Sequence, residues 1–147
     1  MIPVVKKATP AAVAVLRQAT ALRPKRKKAS DGLLPSPAHQ RMNPNSDHNS
    51  GLAVDLTHDP DGGIDCHEIF DKLKSDKRVK YLIFTGVIWT PKVGDARYTG
   101  INKHNKHLHI SINQKYCDDV SPWFPWMGTP TVLGKVKANV KKLPKKN

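Results

Sequence analysis

Cysteine, acidic side chains and long apolar runs are all scarce in this chain, and each shortage excludes something. Cys66 and Cys117 are its two cysteines. They lie far apart and in no C-x-x-C pattern, which argues against a disulfide framework and against a cysteine-rich zinc site. Two free thiols are the expectation, with a single disulfide as the alternative. No stretch approaches about 18 consecutive apolar residues, so no membrane-spanning helix is expected. Lys6 and Lys7 precede an apolar stretch from Pro10 to Leu22, but Arg17 interrupts it, a poor fit to a signal peptide. Internal repeats and a second domain are likewise not apparent. Asp and Glu number 12 against 25 Lys and Arg, a formal charge of +13. That imbalance favours an anionic partner such as nucleic acid, a membrane surface or a polyanionic cell wall.

What is present is enough for one domain with a modest core: 147 residues, 38% of them hydrophobic. Lys25–Lys28 form one basic run, and six lysines from Lys135 to Lys146 form another with no acid among them. Such runs read either as a solvated tail or as attraction to an anionic target. Residues 10–23 are predicted helical. Pro10 suits the first turn, and Ala12, Val15, Ala19 and Leu22 recur at helical spacing. Residues 29–51, rich in Ser, Pro, Asn, Asp and Gly, read as a long surface loop. In LAVDLT, residues 52–57, Leu52, Val54 and Leu56 alternate with Ala53, Asp55 and Thr57. Residues 58–63 read as a turn, and 65–75 as a helix with Asp65 as N-cap. Residues 79–89 read as one or two buried strands with Gly86 at a bend or hairpin, followed by a polar segment over 90–106. In HLHISI, residues 107–112, Leu108, Ile110 and Ile112 face a core while His107, His109 and Ser111 share the other side. Trp123, Phe124 and Trp126 form an aromatic patch before the basic tail.

The two alternating strands share a design, one face aliphatic and the other bearing imidazole or carboxylate. As antiparallel neighbours they would set Asp55 beside His109. His48 lies in the preceding loop, and Gly51 lets that loop fold back over the sheet. Two imidazoles and a carboxylate suit zinc with a fourth position left for water. His107, about 7 Å along the strand from His109, is placed as an acid or base, and His104 could share that duty or orient it. One H-x-H motif alone is weak, and a structural zinc site would normally add a fourth protein ligand, often Cys.

SDHNSGLAVD, residues 46–55, resembles the S-x-H-x-x-G-x-A-x-D motif of the D-alanyl-D-alanine zinc peptidases. His107-Leu108-His109 resembles the closing H-x-H of the wider group that includes lysostaphin-type and hedgehog-type zinc domains. The longer strings SDHNSGLAVDLTHDP and YTGINKHNKHLHIS are similar to bacteriophage-encoded members, some of them endolysins. Ser30-Asp31-Gly32 and His39 fit the preceding part of that pattern. The resemblance implies a small α+β domain over residues 1–130, an antiparallel sheet flanked by helices, with a basic tail over 131–147. It implies zinc on His48, Asp55 and His109, catalysis by His107 and His104, and hydrolysis of amide bonds in peptidoglycan stem peptides or cross-links. Substrate contacts would come from Ser46 and from an arginine gripping a carboxylate, Arg26 foremost, with Arg23 and Arg41 as alternatives. Lys106 stands where many members carry Glu, so the base duty passes to His107 or His104. In an alternative register His107 is the ligand and His104 replaces the Glu, but His109 fits the strand pattern of H-x-H members better. A monomeric phage enzyme made in the host cytoplasm without a signal peptide is implied, acting on the wall or carried on the virion. Two rivals stand beside this: a basic metal-dependent nuclease, and a non-catalytic phage structural or binding protein.

Overall fold

The computed structural model describes residues 4–128; the basic tail over 131–147 lies outside the described residues. Helix α1, Pro10–Leu22, begins with Pro at its first turn and Thr9 as cap, whose Oγ1 accepts from the Ala12 amide. Ala12, Val15, Ala19 and Leu22 are all buried, as their spacing requires. Helix α2, Pro37–Met42, and a 3-10 turn, Asp47–Ser50, occupy the stretch read from sequence as loop. Strand β1 is Ala53–Thr57, and helix α3 is Cys66–Leu73, capped by Asp65. Strands β2 (Val79–Phe84), β3 (Val87–Thr90), β4 (Gly94–Arg97) and β5 (His107–Ile112) follow. The fold is α+β, with all strands antiparallel in one sheet of order β1-β5-β2-β3-β4.

The strand pattern decides the layers. Val54, Leu56, Leu82, Leu108, Ile110 and Ile112 leave one face of the sheet for a core that α1 and α3 cover. Each such side chain contributes about 1.5–3 kcal/mol by leaving water. Between Val79 and Tyr81 the register slips by one residue. The bulge lets Val79 join Leu82 in the core while Tyr81 turns to the opposite face. Trp123 and Phe124 are fully buried in the same core, and the Arg78 guanidinium lies 3.6 Å over the Trp123 ring. The aromatic patch is therefore packing. Cys66 is buried, Cys117 partly so, and both are free thiols.

Two features differ from the sequence reading. β4 lies within the predicted polar segment; GDAR has little strand character of its own and is held by pairing along β3. Helix α2 is only six residues long, yet Ser36 caps it by accepting from the His39 amide, and Pro37 starts it.

Candidate metal centre

Asp55 and His109 are direct cross-strand partners in the β1–β5 ladder. Directly opposed residues on one face lie within contact distance, and here His109 Nδ1 is 3.4 Å from Asp55 Oδ1. His48 comes from the 3-10 turn that β1 follows. Gly51 ends that turn at φ 69, and a Cβ there would come within 2.9 Å of the Ala8 backbone. The chain can therefore reverse against the start of α1 only with glycine, where Thr9 Oγ1 also donates to the Gly51 carbonyl. The reversal brings His48 Nε2 to 3.3 Å from Asp55 Oδ2. Ser46 assists by capping the turn, its Oγ accepting from the His48 amide.

The outer contacts orient both rings. His48 Nδ1 lies 2.6 Å from the Leu33 carbonyl oxygen, an obligate acceptor. That nitrogen carries the proton of the neutral ring, which leaves Nε2, the atom facing Asp55, as the one that could bind a metal once it is deprotonated. His109 Nε2 lies 2.8 Å from Ser111 Oγ, and the Tyr81 ring stacks on the imidazole at 5.3 Å. Gly32 exchanges both backbone hydrogen bonds with Asp55, and a Cβ on it would approach Asp55 Oδ2 to 3.2 Å. Glycine leaves the carboxylate its room.

Ligand atoms of His48, Asp55 and His109 lie within 4.8 Å of one another, a group that could hold a metal ion. A tetrahedral ion with bonds of about 2.0–2.1 Å sets its ligand atoms about 3.4 Å apart; the observed 3.3 and 3.4 Å separations match that spacing. Asp55 Oδ1 is buried without a hydrogen-bond partner among the described residues. Burial disfavours the Asp55 charge, but the adjoining His109 and His48 outweigh it and hold the carboxyl well below its usual range. Burial likewise opposes charge on His48, yet Asp55 and the Leu33 carbonyl raise its pKa overall. In His109 burial prevails and the pKa falls. An anionic oxygen and two imidazoles therefore face one point.

His107 Nε2 is 3.7 Å from Asp55 Oδ1 and partly exposed. The His104 ring packs edge-on against His107 at 5.0 Å, and burial together with the charges of His109 and His107 lowers its pKa to about 4. His104 sits at φ 60, positioned by the β2–β3 turn. Thr85 and Gly86 at the tip both have positive φ, as a two-residue primed turn requires, and their amides donate to the carbonyls of His104 and Lys103. The cleft over these groups has a volume of about 780 Å³.

No family model matches the chain, and no curated protein or solved structure is similar to it at a significant level. The chemistry available is thus read from the donors themselves.

Among the sequence-derived candidates, His48, Asp55, His104, His107 and His109 converge, and Ser46 lines the same cleft. Arg26 does not. Its guanidinium is buried and makes a bidentate pair with Asp31, at 2.7 and 3.0 Å. A buried cation needs such a partner. Asp31 also accepts from the Thr57 amide and hydroxyl, so this network fastens the Gly32 loop to β1. The substrate-binding assignment of Arg26 is corrected to a brace. Arg23 and Arg41 do not line the cleft either. His58 accepts from the Cys66 amide at the start of α3, a turn role, and His67 is exposed.

Three further residues line the cleft, of which only His39 was noted in the sequence, as part of the upstream pattern and without a role. His39, on α2, places its ring 5.5 Å from His48, and its Nδ1 is buried and unpartnered among the described residues. The Ser36-Pro37 helix start was the signal that could have placed it. Tyr81 and Tyr98 also line the cleft.

Proposed function

We propose that the chain is a zinc-dependent peptidase that hydrolyses amide bonds in peptidoglycan stem peptides or cross-links, in the manner of a phage endolysin. The observation that carries the reading is the ladder pairing of Asp55 with His109 and the return of His48 to the same carboxylate. Two nitrogen donors and one oxygen donor leave a fourth position open, the donor set of catalytic rather than structural zinc. Zinc so held supplies Lewis acidity, polarising a scissile carbonyl and acidifying water.

The protein's own groups handle the proton. His107, partly exposed on the cleft floor, accepts it from the attacking water, and His104 beside it keeps the relay neutral and receptive. The proton then passes to the departing amine, leaving a carboxylate and an amine from one amide and one water. Lys106 supplies no carboxylate base, which is why the histidines take the duty. Asn43, Asn45 and Asn102 offer amides for hydrogen bonding to a peptide lying in the cleft. The net charge of +13 favours approach to an anionic wall. The peptidoglycan assignment itself rests on the SDHNSGLAVD and HLH motifs.

The test is mass spectrometry of muropeptides after digestion of purified walls by zinc-loaded protein, beside a plasmid-nicking assay. Newly freed amino and carboxyl ends in stem peptides or cross-links support the proposal. Nicked plasmid with intact walls points to the nuclease, and neither product to a binding protein. His107→Ala is expected to keep its zinc and lose about 10²–10⁴-fold in turnover.

A further inference from the structure

Donor atoms of Asp55, His104 and His107 also lie within 4.8 Å of one another, a second group sharing one carboxylate with the first. Three features mark it. Asp55 Oδ1, which lies between His109 Nδ1 at 3.4 Å and His107 Nε2 at 3.7 Å, has no hydrogen-bond partner among the described residues although buried. His104 Nδ1 is buried and unpartnered in the same way. Buried polar atoms are nearly always paired, so two orphans on adjoining side chains call for a missing ligand. His104 is also held at φ 60, a conformation costly to a residue with a Cβ and sustained here by the hydrogen bond from Thr85.

We propose that His104, His107 and Asp55 form a second, weaker divalent-cation site, bridged by Asp55 to the ion on His48 and His109. This rests on the reading of His48, Asp55 and His109 as the first site. Two imidazoles and a carboxylate oxygen suit zinc and its neighbours in the first transition series. The weaker rank follows from geometry. The closest approach of His107 to Asp55 is 3.7 Å, against 3.3 and 3.4 Å in the first group. All three side chains here are partly exposed, whereas His48 and His109 are buried. A cation in this site occupies the lone pairs that His104 and His107 need for proton transfer. Zinc in excess therefore inhibits the enzyme that zinc at one equivalent activates, and the histidine pair makes the protein sensitive to metal supply.

Isothermal titration with zinc chloride, checked by elemental analysis after equilibrium dialysis, reads this without any substrate. The intact chain is expected to bind two ions, one tightly and one weakly. His104→Gln is expected to bind only the tight one, with its circular dichroism unchanged. His67→Gln, which alters an exposed histidine remote from the cleft, should leave both. Saturation of the intact chain at one zinc overturns the second site and leaves the peptidase reading standing. Retention of two ions by His104→Gln overturns it as well, since the weak ion then sits elsewhere. Loss of the tight ion in His104→Gln assigns that residue to the first site and also overturns it. No zinc bound at all removes the first site, and the proposed function with it. Crystals grown in excess zinc give a second readout, two anomalous peaks flanking Asp55.

Discussion

The two faces of the sheet are made by the same strands, one residue out of step, and they are finished in opposite ways. On the covered face, Leu56, Leu108, Ile110 and Ile112 meet α1 and α3 and have essentially no exposure. On the other face Asp55, His107 and His109 come as close together, yet Asp55 Oδ1 and the neighbouring His39 and His104 Nδ1 atoms have no hydrogen-bond partner among the described residues. Close packing serves stability on one side. On the other it holds polar groups ready for something the chain does not itself supply.

Adjacent residues provide the sharpest break of that comparison. Leu108→Ala should cost about 2–5 kcal/mol of unfolding free energy while the folded fraction keeps its metal affinity. His109→Ala, one step along, should lose metal and activity while changing the metal-free stability far less. Urea unfolding with parallel zinc titration measures both, and equal stability losses would erase the distinction between the faces. Arg26→Ala comes next. It strands Asp31 beneath the Gly32 loop and should cost about 3–5 kcal/mol, with KM for wall fragments unchanged at temperatures where the variant is folded. A selective rise in KM would restore the substrate role. Ser111→Ala removes the outer partner of His109 and is expected to weaken zinc binding about 10–100-fold, read by competition with a chromogenic chelator.

The smallest effect is on pH dependence. His39, His104, His107 and His109 are all depressed below 6.5, burial being the leading cause in each, with His104 at about 4. Between pH 6.5 and 4 the unfolded chain binds more protons at these positions, so acidification withdraws stability. His48 has the opposite sign: its raised pKa gives stability below 6.5 that is lost as pH rises through the folded value. Four depressed groups against one raised group predict a falling urea midpoint for metal-free protein from pH 6.5 to 4. A flat or rising midpoint would show that the folded histidines are not shielded as described.

The two faces were not equally legible beforehand. Strict alternation in LAVDLT and HLHISI made the core side chains legible and set Asp55 and His109 on one face, because a period of two decides which face each residue takes; that the two stand directly opposite one another is set by the β1–β5 pairing itself. Gly51 disclosed the return of His48. By contrast, nothing local reveals that Arg26 is buried, since only the fold brings Asp31 and Thr57 around it. The bulge that turns Tyr81 onto the cleft is set by pairing with β5, and β4 by pairing with β3, so neither leaves a mark in its own few residues. The thiols were expected to be free, as they are, and the arginine expected to reach substrate was the misplaced element.

The backbone of His104 hangs from the tip of the β2–β3 hairpin rather than from β5, the strand that carries His107 and His109. Two residues at the far end of that ribbon, Thr85 and Gly86, thus act as a hinge pin for one imidazole alone. Lengthening or stiffening the tip offers a way to retune the proposed relay without substituting any of the proposed metal ligands.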